Sequence, residues 1–327
     1  MIEISLCMIV KNEEKVLGRC LDSIVDLMDE IIIVDTGSTD RTKEIAKKYT
    51  EHIYDFEWIN DFSAARNFSF SKATKDYIYA ADADEVLDEE NRGKFRQLKE
   101  AMLPEIEIVQ MRYCNQLSHG TAYNFDAEYR PKLYKRQRGF VWIEPVHEMV
   151  RLDPVVYDSE IDILHMPEEQ HSGRDFLVFQ KQIREGARLS KRLHHMYAME
   201  LSISGTDEDV LEAEGFFAAS AVDPTRSLDE VREAACIVAR AARLRGDSHT
   251  ILKMCLKDLL SEGSSEMCFE LGEYFFEKGD YEEAAMWYYN AMNETQSILN
   301  IHTSTDWPKK RYAQCEQSLN NGVDQSG

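Results

Sequence analysis

The sequence predicts two parts of different structure: an α/β domain built on a mainly parallel sheet, and an all-α domain after it. In the first half, short apolar runs alternate with segments whose apolar residues recur at helical spacing, as in a parallel sheet covered by helices. From about Ser172 onward the pattern is almost entirely helical. At 327 residues the chain is long enough for two domains, and its 43% hydrophobic content supports a core in each.

The expected strands of the α/β part are short apolar runs. They include Ile4–Val10, Ile31–Val34 and Tyr77–Ala81, with amphipathic helices between them. Polar residues follow each of these strands, at positions 11–14, 35–40 and 82–85. Ligands of parallel sheets bind beyond the carboxyl ends of the strands, so these polar clusters predict a binding site at that edge.

Between Ile106 and His165 the pattern is strand-rich and less regular. The candidate strands are Ile106–Arg112, Lys132–Tyr134, Phe140–Ile143, Val146–Val150 and Ile161–Leu164. In an extended strand, residues two apart share a face, so Glu144 and Glu148 would point to one side and His147 to the other. Pro145 leaves this register open.

The second half of the chain has the sequence pattern of packed helix pairs. Phe176, Phe179 and Ile183 fall at helical spacing. The segment Met267–Ala291 resembles a tetratricopeptide repeat, and one repeat alone cannot bury its apolar face, so stacked helix pairs are expected. After Ile301 the sequence becomes polar and is expected to fray.

The bulk properties argue against several kinds of partner. A formal net charge of −22 opposes binding to nucleic acids and docking on anionic lipid. The seven cysteines are odd in number and widely spaced, with no C-x-x-C pair, which is typical of a reduced, cytoplasmic protein. No signal peptide is expected at the N-terminus, and no apolar run is long enough for an integral membrane segment.

Asp82 and Asp84 are the most informative pair of residues in the first half. The two carboxylates flank Ala83 directly after a buried strand, where they can reach a ribose and a divalent cation. Mg²⁺ and Mn²⁺ bind carboxylate oxygens together with a substrate diphosphate. An isolated D-x-D sequence is more often an acidic surface turn, so its interpretation depends on the motifs around it.

Three further motifs accompany this acidic pair. They are Ser5–Glu14 with the sequence SLCMIVKNEE, Glu30–Thr42 with EIIIVDTGSTDRT, and Asp61–Asn67 with DFSAARN. In their order, spacing and strand-end positions, these motifs and the ADADE sequence of Ala81–Glu85 resemble the family 2 glycosyltransferases, which have the GT-A fold. The resemblance covers about half of the chain, residues 2–172.

The resemblance also implies an arrangement of domains. Residues 1–172 would form the GT-A catalytic domain, which is α/β, Rossmann-like and built on a mainly parallel sheet. Residues 173–300 would form an all-α helical-repeat domain of tetratricopeptide-like type. Residues 301–327 would form a polar tail.

A role in the donor site is implied for residues of each motif. The nucleotide sugar would be bound by Ile9, Val10, Lys11, Glu13, Asp35, Arg66, Asn67, Asp82 and Ala83. Asp35 would hold the base or ribose, Arg66 would lie near the diphosphate, and Asp84 would bind the metal. The residues themselves leave other interpretations open, with Asp35 as a turn residue and Arg66 as a surface arginine of a helix.

A second group of residues follows the strand-rich part, in the sequence WIEPVHE of Trp142–Glu148. It resembles the V-H-E element of this glycosyltransferase branch. An inverting transferase needs a base beside the acceptor nucleophile. Glu148 is the favoured base, and His147 and Glu144 are the other candidates.

His165, at the end of a later strand, is a candidate metal ligand alongside Asp84. This role is implied by the resemblance, and a structural histidine is the alternative. An imidazole ligand would favour Mn²⁺ over Mg²⁺. The residues that follow, Met166 and Pro167, depart from the family pattern.

Five basic residues lie close together in this acidic chain: Arg130, Lys132, Lys135, Arg136 and Arg138. A local positive patch could attract a diphosphate donor or an anionic acceptor. An ordinary charged surface is the favoured interpretation of this cluster.

Together these residues predict a metal-dependent, inverting glycosyltransferase with a nucleotide diphosphate-sugar donor, and the resemblance implies uridine as its base. The acceptor would be a protein, a peptide or a glycan, and the helical domain could also form a homodimer. Two other functions stay open: a helical-repeat interaction protein with an inactive GT-A domain, and a sugar nucleotidyltransferase. Nucleotidyltransferases usually open with a glycine-rich phosphate loop, which Ile9–Glu14 lacks.

Overall fold

The computed structural model describes residues 1–115, 126–151, 153–168, 172–259 and 262–324. Within these ranges the chain divides into two compact units, residues 1–168 and residues 172–324. The first unit contains every strand of the described residues, and the second unit consists of helices joined by short loops. The predicted α/β part followed by an all-α part is therefore confirmed.

The first unit is built on an eight-stranded sheet in the order β3-β2-β1-β4-β7-β6-β10-β5. Its strands are β1 Ile4–Val10, β2 Glu30–Asp35, β3 Ile53–Asp55, β4 Tyr77–Ala80, β5 Glu85–Val86, β6 Ile108–Cys114, β7 Glu128–Lys135 and β10 Val156–His165. Strands β3, β2, β1 and β4 are parallel neighbours, and so are β6 and β10. Within the described part of this sheet, only β7 and β5 pair antiparallel with their neighbours, so the sheet is mainly parallel as predicted.

The apolar strands are buried on both faces, which explains why they read as continuous apolar runs. On β1, Leu6 and Met8 belong to the larger core, whereas Cys7 belongs to a second core on the opposite face. Alternation on β2 follows the same rule, with Ile33 in the larger core and Ile32 in the second. Because successive side chains of a strand point to opposite faces, the sheet lies between two layers of packed side chains.

Four helices of the first unit connect and cover the strands: α1 Leu17–Ile24, α2 Thr42–Ala46, α3 Phe62–Phe70 and α4 Glu89–Ala101. Helix α3 begins after Asp61, whose Oδ1 accepts a hydrogen bond from the backbone N–H of Ala64 at 2.9 Å. Ser63 lies inside the helix and donates to the same Oδ1 at 2.6 Å. Helix α4 is capped in the same way by Asp88.

Two short strands, β8 Trp142–Ile143 and β9 Met149–Val150, form a separate antiparallel hairpin. The predicted strand Val146–Val150 is therefore wrong in its first half. Glu144 and His147 adopt left-handed backbone conformations, with φ of 70° and 47°. Such φ values do not occur in a strand, so the expected sharing of one face by Glu144 and Glu148 does not apply.

The second unit contains eight α-helices among its described residues. They are α5 Ser172–Arg184, α6 Lys191–Ser204, α7 Asp207–Ser220, α8 Leu228–Leu244, α9 Ser248–Leu259, α10 Ser265–Glu277, α11 Tyr281–Asn293 and α12 Asp306–Asp324. Most helices pack against the next one along the chain. Gly272 of α10 lies against the ring of Tyr288 of α11, so close that a Cβ at that position would come within 2.5 Å of a ring carbon.

The segment after Ile301 corrects an expectation. The sequence predicts a polar tail that frays, yet α12 spans most of it and Cys315 is fully buried. Arg311 of this helix donates to Glu273 of α10 at 2.7 Å. Residues 325–327 of the predicted tail lie outside the described residues. Across the described ranges, no helix has both the length and the apolarity needed to cross a membrane.

Candidate functional site

The loops that follow β1 and β2 are joined by side-chain hydrogen bonds. The backbone N–H of Asn12 donates to Ser38 Oγ at 2.9 Å, and the Asn12 side chain accepts from the N–H of Thr39 at 2.8 Å. The N–H of Glu13 donates to Thr42 Oγ1 at 2.7 Å. The structure thus brings the first two motifs together as one surface at the carboxyl edge of the sheet.

Asp35 ends β2 and is almost completely buried, with 1% of its surface exposed. Its Oδ1 accepts hydrogen bonds from the backbone N–H groups of Gly37 and Ser38, both at 3.0 Å. Its Oδ2 is buried and has no hydrogen-bond partner among the described residues. The role of a turn residue accounts for the hydrogen bonds to Oδ1, but it leaves the buried Oδ2 without a partner.

The other residues predicted to border the base lie at the end of β1. Val10 is buried and pairs in register with Asp35 of β2, and Ile9 is half-buried. Lys11 is exposed, and Glu13 is half-buried in the loop beyond it. Of these four, only the side chain of Lys11 lies fully open to solvent, where it can meet an anionic ligand.

Arg66 of α3 joins two of the predicted site residues. Its Nη2 donates a hydrogen bond to Asp82 Oδ1 at 2.8 Å, and its Nε donates to Glu148 Oε1. The guanidinium group also lies over the ring of Trp142, 5.1 Å from its centroid. With 14% of its side chain exposed, Arg66 is no surface arginine, and residues from three motifs meet around it.

The opposite charges of Arg66 and Asp82 each favour the ionised form of the other group. Burial alone would raise the pKa of Asp82, but the positive charges of Arg66 and Lys132 outweigh it and hold the pKa well below its usual range. Burial alone would lower the pKa of Arg66, but Asp82 and Glu148 outweigh it and raise the pKa. Asp82 and Arg66 are therefore both charged at physiological pH.

Asn67, the neighbour of Arg66, contacts the backbone of the β8–β9 hairpin. Its Nδ2 donates to the carbonyl oxygen of Trp142 at 2.9 Å, and its Oδ1 accepts from the N–H of the same residue at 2.8 Å. The N–H of Phe62 donates to the carbonyl oxygen of Pro145 at 2.8 Å. These bonds fasten the turn between β8 and β9 to helix α3, and they place Glu148 beside Arg66.

Glu148, the favoured base, lies directly before β9 with 11% of its side chain exposed. His147 and Glu144, the other candidates, lie in the turn with left-handed backbones. Glu148 contacts Arg66 and shares this cation with Asp82. The base assignment itself stays a prediction.

Asp84 and His165 lie side by side. The Nε2 atom of His165 is 3.2 Å from Asp84 Oδ2, and the ring of Tyr113 packs on the imidazole with centroids 5.1 Å apart. The N–H of Met166 donates to the Asp84 carbonyl oxygen at 2.9 Å, so the residue that departs from the family pattern holds this turn in place. One carboxylate oxygen and one imidazole nitrogen at this spacing fit a shared divalent cation such as Mn²⁺.

Lys132 is the residue of this site that the sequence did not identify. It belongs to the predicted basic cluster, yet it is 5% exposed, contacts Glu85, and lies 3.7 Å from Asp82 Oδ2. Burial raises the pKa of Glu85 to about 8, although Lys132 opposes this and the charge of Asp82 adds to it. A signal existed, because Lys132 shares a strand face with the buried Tyr134, and a lysine in that position needs a carboxylate partner.

The rest of the basic cluster is dispersed. Arg130 pairs with Glu128 at 2.5 Å, and Arg138 pairs with Glu107 at 2.8 Å. Lys135 and Arg136 donate to backbone carbonyl oxygens. The structure therefore favours an ordinary, largely neutralised surface over a positive patch.

An open, mainly parallel sheet with polar groups gathered beyond its strand ends defines an α/β protein of the kind that binds its ligands at that edge. The chain carries a glycosyltransferase domain of family 2, because residues 5–150 match the family model described as "Glycosyl transferase family 2". The predicted family resemblance is thereby confirmed.

Curated relatives match parts of this chain over parts of their own length. A TPR repeat-containing protein of Synechococcus elongatus is 49% identical over 87 residues, which is 27% of this chain and 22% of the relative. The prophage-derived glycosyltransferase SunS of Bacillus subtilis is 42% identical over 92 residues, 28% of this chain and 22% of SunS. The lipopolysaccharide core biosynthesis glycosyltransferase LpsC of Rhizobium meliloti is 28% identical over 154 residues, covering 44% of this chain and 56% of LpsC.

The chain thus spans between 22% and 56% of the length of these relatives. Among solved structures, glucosyl-3-phosphoglycerate synthase from Mycobacterium tuberculosis, in complex with Mn²⁺ and uridine-diphosphate-glucose, is 14% identical. The likeness covers 58% of this chain and 81% of that one with a TM-score of 0.40. A TM-score of this size does not establish a shared site.

Proposed function

We propose that this protein is a metal-dependent, inverting glycosyltransferase that moves a sugar from a uridine diphosphate-sugar to a protein, peptide or glycan acceptor. One observation carries the proposal. In a family 2 domain, Arg66 binds Asp82 and Glu148 at the carboxyl edge of the sheet, and the Asp84–His165 pair lies in the adjoining turn. Acidic, basic and metal-binding groups for sugar transfer are thus gathered in one place.

The donor nucleotide is supported by Asp35. Its buried Oδ2 requires a hydrogen-bond donor, and the imide N–H of a uracil base has that character. The choice of uridine rests on the family resemblance. Lys11, exposed beside this position, would meet the negative charge of the nucleotide.

A divalent cation would be held by Asp84 and His165. When bound there, the cation would neutralise charge that develops on the leaving diphosphate. The imidazole ligand favours Mn²⁺ over Mg²⁺, because nitrogen ligands suit the softer of the two ions.

In the proposed reaction, side chains of this chain accept the proton of the acceptor and orient the charged groups of the site. The acceptor nucleophile forms a bond to the anomeric carbon while the bond from that carbon to the diphosphate oxygen breaks. Glu148 takes the proton of the acceptor, and attack from the opposite face inverts the configuration. Arg66 orients Glu148 and Asp82 through its two hydrogen bonds, and Asp82 would contact the ribose of the donor.

The helical unit would serve the acceptor or a second copy of the chain. Stacked helix pairs form extended concave surfaces that bind peptides, and they also mediate dimerisation. We therefore propose that transfer belongs to residues 1–172 and recognition to residues 173–300. The glycan alternative is supported by LpsC, whose name assigns it to lipopolysaccharide core biosynthesis. A cytoplasmic location is proposed because all seven cysteines are free.

The test is release of nucleoside diphosphate from a panel of nucleotide sugars with and without Mn²⁺, together with the shift in melting temperature that each causes. We expect one uridine diphosphate-sugar to raise the melting temperature only with Mn²⁺. Asp84→Asn should remove the metal dependence, whereas Asp158→Asn, a matched change at an exposed position of β10, should leave it intact.

Two other results would replace the proposal. Release of pyrophosphate from a nucleoside triphosphate and a sugar phosphate would identify a nucleotidyltransferase. Absence of any shift across the panel would favour a helical-repeat interaction protein with an inactive transferase domain.

A further inference from the structure

The acidic turn after β4 contains three carboxylates with different surroundings. Asp82 is bonded to Arg66 and lies 3.7 Å from the Nζ of Lys132. Glu85 contacts the same Nζ. Asp84 contacts His165. Two of these acidic side chains therefore contact buried cations, and the third lies beside a histidine, a residue type that can also bind metals.

Lys132 reaches this turn from the interior of the sheet. It lies on β7, the antiparallel neighbour of β4, and its side chain is 6% exposed. Its ammonium group lies 5.2 Å from the centroid of the Tyr113 ring. Lysine is almost never buried without a partner, because removing the ammonium group from water is costly. The buried ammonium group of Lys132 is therefore held by Asp82 and Glu85, and the side chains of Asp82 and Glu85 are held in turn by Lys132.

The contact also connects Lys132 to the candidate metal pair. Glu85 begins β5 and stands directly opposite His165 in the antiparallel pairing of β5 with β10. The N–H of Glu85 donates to the carbonyl oxygen of Asp82 at 3.2 Å, which closes the turn around Asp84. The side chain that Lys132 contacts thus belongs to the residue that follows Asp84 in the chain and pairs with His165 across the sheet.

We propose that Lys132 is a positioning residue of the donor site: it holds Asp82 and Glu85 away from the metal position, which leaves Asp84 and His165 to bind a single divalent cation and limits the affinity for that cation. The proposal rests on the proposed function. Its second consequence is electrostatic: the charge of Lys132 offsets the carboxylates of the site and admits an anionic nucleoside diphosphate.

Two binding measurements on Lys132→Gln test this role. The first is the affinity for Mn²⁺ without nucleotide, from the electron paramagnetic resonance signal of free Mn²⁺. The second is the affinity for UDP at saturating Mn²⁺, by calorimetry. Removing one positive charge close to both ligands should tighten Mn²⁺ binding and weaken UDP binding, each by about tenfold. Opposite changes of this kind do not follow from a loss of packing.

Matched variants separate charge from structure. Lys132→Arg keeps the positive charge at this position, so both affinities should lie closer to the wild type than those of Lys132→Gln. Lys135→Gln makes the same chemical change on the same strand, but Lys135 donates to the carbonyl oxygen of Pro104 and should affect neither affinity. If Lys132→Gln does not fold, Lys132→Met replaces it, since an apolar side chain of similar length removes the charge without burying a new polar group.

The outcomes distinguish the two proposals. If the wild type binds Mn²⁺ and UDP, and Lys132→Gln changes neither affinity or lowers both, then Lys132 only supports the fold and this inference is overturned. If the wild type binds neither Mn²⁺ nor UDP, the proposed function fails, and the role of Lys132 fails with it.

Discussion

The Nη2 atom of Arg66 lies 2.8 Å from Oδ1 of Asp82, and the same guanidinium group donates through Nε to Glu148. Arg66→Met would leave two partly buried carboxylates close together without this cation. We expect the free energy of unfolding to fall by about 3–5 kcal/mol, because breaking a buried ion pair leaves uncompensated charge. Urea denaturation of the purified protein measures this change.

Arg41→Met is the matched control for that substitution. Arg41 also pairs with a glutamate, Glu14, at 3.0 Å, but its side chain is 76% exposed. An exposed pair contributes little, so no measurable change in stability is expected. Equal losses in the two variants would contradict the view that the Arg66 cluster is buried and mutually stabilised.

Asn67→Asp tests how the hairpin is held. The substitution keeps the oxygen that accepts from the N–H of Trp142 but removes the amide that donates to its carbonyl oxygen. We expect unfolding free energy to fall by about 1–3 kcal/mol, and the transfer rate to fall further than nucleotide affinity, because the hairpin positions Glu148. Asn293→Asp, at an exposed asparagine that donates to the Tyr289 carbonyl oxygen, should leave both unchanged.

Glu148→Gln tests the assignment of the base. The amide oxygen of glutamine can still accept the hydrogen bond from Arg66, so the cluster should stay in place. We expect the transfer rate to fall by about 10²–10⁴-fold while UDP and Mn²⁺ bind as in the wild type. His147→Gln is the comparison, and a loss of transfer in that variant alone would make His147 the base.

The stability of the protein should depend on pH through Glu85. Burial raises the pKa of this carboxyl to about 8, from an ordinary value of 4.5. The folded state therefore binds the proton more tightly than the unfolded state, so this contribution is complete below 4.5 and is lost as pH rises toward 8. Glu85→Gln should flatten the dependence of unfolding free energy on pH over this interval. An unchanged dependence would show that the Glu85 pKa is not raised.

Gly272→Ala tests the packing of the helical unit. The added Cβ would come within 2.5 Å of the Tyr288 ring, which is fully buried and cannot easily move. We expect a loss of about 1–3 kcal/mol in unfolding free energy from overpacking. Gly215→Ala, in a helix of the same unit with no atom near the added Cβ, should be neutral or stabilising by up to about 1 kcal/mol.

Local sequence patterns were sufficient to predict the parallel sheet and its polar edge. Apolar runs form buried strands and polar turns follow them, so the places of residues such as Ile33 and Asp35 can be predicted from neighbouring residues in the sequence. In the structure, Asp35 is buried at this edge and the loops after β1 and β2 contact each other there, as the predicted polar edge implies.

The surroundings of Glu148 and Lys132 depend on distant parts of the chain. Glu148 faces Arg66 because a turn with left-handed Glu144 and His147 is fastened to α3, and no local preference favours those conformations. Lys132 is buried because β7 pairs with β4, which brings it next to the acidic turn. Helix α12 similarly forms on a polar sequence through tertiary contacts, with Cys315 buried at its interface.

The central claim is that the carboxyl edge of the sheet binds a nucleotide sugar through a metal. The most direct measurement is calorimetric titration of uridine diphosphate-sugars into the full chain with Mn²⁺, repeated with EDTA and with Asp84→Asn. We expect binding that requires Mn²⁺ and is lost in Asp84→Asn, with the fold unchanged by circular dichroism. Binding that is equally strong in EDTA, or equally strong in Asp84→Asn, would contradict the account.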